Sequence, residues 1–375
     1  MTPPPASNGK GDAPDHVPGG TTLGTPRIVV VGAGAWGTTL AILIARSEPV
    51  VLLGHSWESL ERNLQPDGTL RRLPGVELPE GIDLTAEPGA IDLGTDLVIF
   101  AVPSAHLRET VGRVAARLPE TADVLSVVKG IENGTLLRMT EVIADASAKA
   151  GAPIAPQRIA ALSGPNLALE IAKGLPASAV IASDDAELGE RIVARLSRRE
   201  FRLYTNPDVL GVELCGALKN IVAIAAGAAD GLGFGDNGKA GLMTRGLAEM
   251  TRVGIAAGAN PLTFAGLAGI GDVIATCGSK LSRNHRLGEE LARGQAWSEI
   301  EASLPGVAEG AYTVDAALAL AARHGVEMPI AQEVHNALFE GKSVQRCLID
   351  LLSRESKDEL ADFQVWLDRL GTASR

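Results

Sequence analysis

Short, nearly continuous apolar runs punctuate the first half of the chain. They fall at Arg27–Val31, Val50–Leu53, Asp96–Val102, Asp123–Val128, Arg158–Leu162 and Ala177–Ala182. Each has the length of a strand, and their Val, Ile and Leu content suits strands buried on both faces. Helical spacing of apolar positions follows one terminal turn at Thr38–Arg46 and fills further gaps at Leu107–Leu118 and Leu136–Ala150. Strands alternating with helices predict βαβ units, so the N-terminal part should be an α/β domain around a parallel sheet.

The pattern changes at Thr205-Asn206-Pro207-Asp208. Asn206 reads as a helix N-cap with Pro207 in the first helical position, opening a long Ala- and Leu-rich helix to about Ala229. Beyond it strand-like runs almost vanish, and Ala/Gly-rich helical segments continue to about Glu359. The expected organisation is therefore a sheet domain over 27–205 and an all-α domain over 206–360. The Pro-, Gly- and Ser-rich residues 1–26 read as a disordered tail, and 361–375 as a polar C-terminal end.

A length of 375 residues fits two domains better than one core. The 34 Lys and Arg against 45 Asp and Glu leave a net charge of −11, with no basic stripe. That argues against nucleic acid and anionic membrane surfaces as partners. Six Phe, four Trp and two Tyr are too few for a base-stacking surface. Cys215, Cys277 and Cys347 show no CxxC spacing, and the six histidines show no HxxxH spacing, so neither a disulfide framework nor a metal site is expected. No secretory apolar region and no run of 18 apolar residues occurs, so the expected location is cytoplasmic, without membrane insertion.

Gly32-Ala33-Gly34-Ala35-Trp36-Gly37 follows the first strand and opens a helix. The bare GxGxxG pattern is weak, since a second copy at Gly233, Gly235 and Gly238 follows a helix and reads as a mobile loop. Only the first copy has the strand–turn–helix setting of a Rossmann-type domain, in which backbone N–H groups meet a pyrophosphate. An acidic residue on the second strand would favour NAD, but that strand ends Leu53-Gly54-His55-Ser56. Without that carboxylate a 2′-phosphate is not repelled, so NADP should be accepted and is the expected preference.

Three further strands end in turns at Pro103-Ser104, Lys129-Gly130 and Gly164-Pro165-Asn166. Ligands of open α/β sheets sit outside such carboxyl ends. Lys129 is either a ligand-facing group there or an ordinary surface lysine. In the long helix, Glu213-Leu-Cys-Gly-Ala-Leu-Lys219-Asn220 places a lysine among small and apolar neighbours. Lys219 either snorkels to water or sits in a dry pocket with a depressed pKa, which a second cation such as Lys129 would lower further. Gly269-Ile-Gly271-Asp272 leads to Thr276, and Ser282-Arg283-Asn284 gathers hydroxyl, guanidinium and amide donors. The latter suits a phosphate, or is a solvated helix entry capped by Ser282.

Together these segments resemble the bacterial NAD(P)-dependent glycerol-3-phosphate dehydrogenases over about 27–355. The matching text is VVGAGAWGTTLA, VVKGIE, LSGPN-LA, ELCGALKNIVAIAAGAADGLGFGDNGKA, GLAGIGDVIATC, SRNHRLG and GVAEG. The resemblance implies interconversion of sn-glycerol 3-phosphate and dihydroxyacetone phosphate with NADP or NAD, supplying phospholipid synthesis, in a homodimer. It places the proton-transferring lysine at Lys219, with Lys129 and Asp272 beside it. It implies substrate contacts at Lys129, Gly164, Asn166, Lys219, Asn220, Asp272, Thr276, Ser282, Arg283 and Asn284. Cofactor contacts fall on Gly32, Gly34, Ala35, Trp36, Gly37, His55, Lys129, Ala168, Arg283, Val307 and Glu309. Ala35 replaces a frequent Ser and drops one hydrogen bond near the pyrophosphate, and Asn166 stands where Ser or Thr is usual. A hydride-transfer enzyme for hydroxy or sugar acids shares this two-domain plan but gives Arg283 no purpose. A non-catalytic dinucleotide sensor gives none to Lys219 and Asp272.

Overall fold

The computed structural model describes residues 28–355, apart from Leu93 and Pro305. The expected tail at 1–26 and polar end at 361–375 lie outside the described residues. Among the described residues ten strands form: β1 (Ile28–Val31), β2 (Val50–Leu53), β3 (Thr69–Leu70), β4 (Leu73–Glu77), β5 (Ile82–Thr85), β6 (Leu97–Phe100), β7 (Asp123–Ser126), β8 (Ile159–Ser163), β9 (Ala177–Ala182) and β10 (Phe201–Asn206). Eight of them make one sheet in the order β10-β9-β8-β7-β6-β1-β2-β5, while β3 and β4 pair separately. The Val- and Ile-rich central strands are buried along their whole length because helices cover both faces. Two apolar cores follow, one on each side of the sheet.

The sheet departs from the all-parallel expectation at one place, since β8 and β9 pair antiparallel. The connection between them carries only the helix Ala168–Ala172, and the chain turns back along its neighbour. The expected strands are present, but β3, β4, β5 and β10 lacked the apolar-run signature. Strand β10 is an edge whose residues alternate between buried and exposed, so its sequence FRLYTN carries no continuous run.

Asn206 is not the helix cap. It is the last residue of β10, held extended by its register with Ala182, and its Oδ1 accepts from Asp208 N at 2.8 Å. The cap is Asp208, whose Oδ1 accepts from Gly211 N at 2.9 Å, and the helix runs Val209–Gly231. This helix is buried nearly all round by the other C-terminal helices. It is long and apolar enough to cross a membrane, yet 89% of its apolar window lies inside the protein. Among the described residues no strand follows Asn206.

The second glycine cluster is not a loop. Gly233 and Gly235 take φ of +75° and +70° in a tight turn, and the helix Gly235–Ala257 already includes Gly238. Leu242, Met243 and Leu247 pack that helix against the C-terminal core, while Lys239 Nζ bonds Asp230 Oδ2 at 3.0 Å near its start. The helix Arg283–Ala292 packs on the central helix backbone to backbone. A Cβ on Gly227 would lie 1.8 Å from His285 O, and one on Gly288 would lie 1.9 Å from Ile224 O. This close crossing brings Asn284 against Asn220.

Candidate active site

The glycine loop sits at the carboxyl end of β1, between β6 and β2, where the strand order reverses. Its three glycines meet three different constraints. Gly32 has φ +118°, and a Cβ there would lie 2.6 Å from Ala101 O. A Cβ on Gly37 would lie 1.9 Å from Gly32 O, so this glycine lets the helix Ala35–Ala45 close on the strand. Around Gly34 there is nothing within 4 Å, a space a dinucleotide pyrophosphate fits. The helix beyond has neither a side-chain cap nor an acidic residue in its first turn, which leaves its N–H groups free for an anion.

Other expected cofactor positions fall on the loop helix, beyond β2 and β8, and at the start of the helix Glu309–Arg323. Ala35 opens the helix, but Trp36 turns its ring edge-on to Phe201 at 6.2 Å, leaving its backbone towards the loop. His55 is exposed beyond β2, and its carbonyl accepts from Arg113 Nη1 at 3.3 Å. Ala168 packs on the loop helix through its carbonyl, which accepts from Thr39 Oγ1 at 3.1 Å. Val307 is half-buried. Glu309 crosses to the sheet domain, accepting from Ser104 N at 3.2 Å and Ser104 Oγ at 2.5 Å. Burial pushes the Glu309 carboxyl above the usual range, against the pull of Ser104 and Arg283.

At the centre, two lysines converge on one carboxylate. Lys129, just beyond β7, donates from Nζ to Gly164 O at 3.1 Å and to Asp272 Oδ2 at 2.5 Å. Lys219 Nζ donates to Thr276 Oγ1 at 2.6 Å and lies 3.1 Å from Asp272 Oδ1. The Thr276 hydroxyl in turn donates to Asp272 Oδ1 at 3.0 Å. Asp272 opens the helix Asp272–Gly278 directly after a single π-helical turn at Leu267–Gly271. Such turns re-aim the residues that follow them. Gly216, one turn before Lys219, leaves room for Lys129, whose Cγ would stand 3.4 Å from an added Cβ. Gly164 takes φ +141°, and a Cβ there would lie 2.9 Å from Ala179 Cα.

Of the two settings open to Lys219, the structure has the dry one, with 6% of the residue exposed. Burial, opposed by Asp272 and aided by the Lys129 cation, lowers its pKa to about 8. Burial pushes Asp272 upward, but the two ammonium groups outweigh it and hold the carboxyl below its ordinary value. The result is a lysine with a pKa lowered to about 8 beside a carboxyl held below its ordinary value.

The Ser282-Arg283-Asn284 cluster divides. Ser282 Oγ caps its helix by accepting from His285 N at 3.2 Å. Asn284 Nδ2 donates to Asn220 Oδ1 at 2.9 Å, and its Oδ1 accepts from Gly310 N at 3.0 Å. Both residues are buried, while Arg283 is exposed and, among the described residues, has no hydrogen-bond or ion-pair partner. Crowding by surrounding protein still lowers its pKa, as expected for a cation on the wall of a cleft. Beyond β8, both polar atoms of the Asn166 amide are buried without a partner. Such an amide awaits a ligand or water.

Sequence reasoning passed over Ser104 as the partner of Glu309, and also Glu213. The buried Glu213 carboxylate accepts from Arg138 Nη1 at 2.8 Å, Thr140 N at 2.9 Å and Thr140 Oγ1 at 2.7 Å. It ties the lysine-bearing helix to the sheet domain. A carboxylate in an otherwise oily helix was the available signal.

The comparisons agree on one family. Residues 27–189 match the NAD-dependent glycerol-3-phosphate dehydrogenase N-terminus, and residues 208–349 match its C-terminus. The chain is 44% identical over 334 residues to a glycerol-3-phosphate dehydrogenase (NAD(P)+) of Streptomyces griseus, covering 89% of this chain and 98% of that protein. It is 43% identical over 334 residues to that of Chlorobium limicola, covering 89% and 99%. The solved glycerol-3-phosphate dehydrogenase of Coxiella burnetii superposes with a TM-score of 0.81 at 36% identity, over 87% of this chain and 98% of that one.

Proposed function

We propose, for a chain that belongs to the NAD-dependent glycerol-3-phosphate dehydrogenase family, that Lys219 moves the proton of the family's reaction. The enzyme interconverts sn-glycerol 3-phosphate and dihydroxyacetone phosphate, using NAD or NADP. The nicotinamide, when bound, accepts or delivers the hydride at C2 of the substrate. The observation that carries the proton assignment is the bridge from Lys219 through Asp272 to Lys129.

In the reducing direction, negative charge develops on the ketone oxygen as C2 becomes tetrahedral. Lys219 as ammonium donates its proton to that oxygen, and Lys129 stabilises the same charge. In the oxidising direction, neutral Lys219 takes the hydroxyl proton while the hydride leaves C2. Asp272 and Thr276 hold the Lys219 amine in place by the contacts described above. Arg283 anchors the phosphate with two N–H groups, and that binding energy positions C2. Asn166 offers its unpartnered amide to the substrate, Gly164 positions Lys129 through its carbonyl, and Asn220 is held for substrate by Asn284.

The open space at Gly34 and the uncapped helix N-terminus would hold the pyrophosphate. The end of β2 lacks the carboxylate that repels a 2′-phosphate, which supports a preference for NADP. Supply of glycerol 3-phosphate to phospholipid synthesis, a cytoplasmic setting, a homodimer and no nucleic-acid partner belong to the same reading. So do the 27–205 and 206–360 domain limits. The deciding assay follows NADPH oxidation with dihydroxyacetone phosphate, with NADH and unphosphorylated dihydroxyacetone as controls. Turnover should need the phosphate and run faster with NADPH. Equal turnover of dihydroxyacetone would remove the phosphate anchor, and far better use of NADH would reverse the preference.

A further inference from the structure

The hairpin β3–β4 lies outside the main sheet and has no part in the chemistry derived above. Its strands leave Arg71 and Arg72 as the two-residue turn at its tip. The turn is fixed in place. Arg71 N donates to Asn63 O at 2.8 Å, Arg72 N donates to Asn63 Oδ1 at 3.0 Å, and Asn63 itself is buried. Leu70, Leu73 and Val76 seat the hairpin against Ile42 of the loop helix, with Ala35 alongside.

From that turn Arg72 reaches the glycine loop, and its Nη1 donates to Ala33 O at 3.0 Å. Among the described residues no carboxylate lies within ion-pair distance of Arg72. Three of its surroundings are cationic. Arg62 and Arg71 stand near enough, after burial, to lower its pKa, and Arg72 in turn depresses Arg283 across the cleft. An arginine held among other arginines, over a loop with space left at Gly34, is a site waiting for an anion.

We propose that Arg72 clamps the pyrophosphate of the bound dinucleotide from the side opposite the loop N–H groups. One guanidinium nitrogen holds the Ala33 carbonyl, and the remaining N–H groups face the phosphate oxygens. The clamp draws its anion from the pyrophosphate, because Arg72 is bonded to the loop itself at Ala33. The inference rests on reading the Gly32–Gly37 loop as the dinucleotide site.

Calorimetric titration of NADH, NADPH and ADP into wild type, R72A and R71A tests it without turnover. The expected result is a Kd about tenfold weaker for all three ligands in R72A, and a change under twofold in R71A. R71A removes the same charge from the same turn, so equal losses in both variants would reduce the effect to a general field and overturn the clamp. A loss confined to NADPH would assign Arg72 to the 2′-phosphate and overturn it too. Unchanged binding by R72A would do the same, whereas a wild type that binds no dinucleotide would sink the loop reading itself. Circular dichroism and an unchanged Tm establish that R72A is folded.

Discussion

Lys129 and Lys219 belong to different domains, yet their ammonium groups meet on the two oxygens of Asp272, at 2.5 and 3.1 Å. One buried carboxylate cannot neutralise two cations, so one lysine must be easy to deprotonate. Lys219 is the more buried of the two, and its pKa is lowered to about 8. In the proposed mechanism Lys129 thereby does two things, stabilising charge on the substrate oxygen and tuning the group that moves the proton.

The pH profile should follow from that pairing. Oxidation of glycerol 3-phosphate needs neutral Lys219, so its kcat/KM should rise about tenfold per pH unit below about 8 and level off above it. Reduction needs the ammonium form and should fall above the same pH. In D272N the opposing charge is gone and the break should move down. In K129M the depressing cation is gone, so it should move up. Breaks that stay put in both variants would detach the profile from Lys219.

Removing the amine tests the role directly. Lys219→Ala should lower kcat by about a thousandfold, the usual range for a lost general acid–base, while NADPH still quenches protein fluorescence on binding. A kcat within tenfold of wild type would exclude proton transfer by this residue. Its separation from the glycine loop is what should leave cofactor binding intact.

Arg283 should behave differently. Its exposure and lack of protein partners mean that its donors are available to the substrate phosphate. Arg283→Ala should raise KM for dihydroxyacetone phosphate by about ten- to a hundredfold, because a bidentate charge-assisted pair is lost. Weak turnover of unphosphorylated dihydroxyacetone should change little. Equal loss on both substrates would show that Arg283 acts elsewhere.

Much of this site was legible in the residues before any coordinates. The glycine loop was readable because a strand, a turn and a helix must follow one another in sequence. Lys219 stood out because a charge in an oily helix needs a reason. The parts that stayed hidden depend on contacts distant along the chain. Ser282 and Asn284 read as ligand groups beside Arg283, with a Ser282 cap as the alternative, but the links from Asn284 to Asn220 and Gly310 gave no signal because these residues are far apart in sequence. Strand β10 could not be seen because an edge strand alternates, and its pairing with β9 moved the helix cap from Asn206 to Asp208. Arg72 gave no signal, since only folding of the β3–β4 hairpin against the loop helix brings it to Ala33.

Two glycines three positions apart, Gly34 and Gly37, should separate stability from binding when replaced. Gly34 has φ −76° and nothing within 4 Å of an added Cβ, so Gly34→Val strains neither the backbone nor its neighbours. It should keep a Tm near that of wild type but lose NADPH binding, because the side chain fills the space left for the pyrophosphate. Gly37 is the reverse case. A Cβ there would stand 1.9 Å from the Gly32 carbonyl oxygen, so the helix must move off β1 or the loop must distort. Gly37→Ala should therefore cost about 1–3 kcal/mol, the range for overpacked cores, and lower Tm by a few degrees. Thermal melts with and without NADPH distinguish the two: Gly34→Val should show no ligand-induced rise, as a site that binds nothing adds no stability. A normal rise in that variant would mean the open space at Gly34 serves something other than the cofactor.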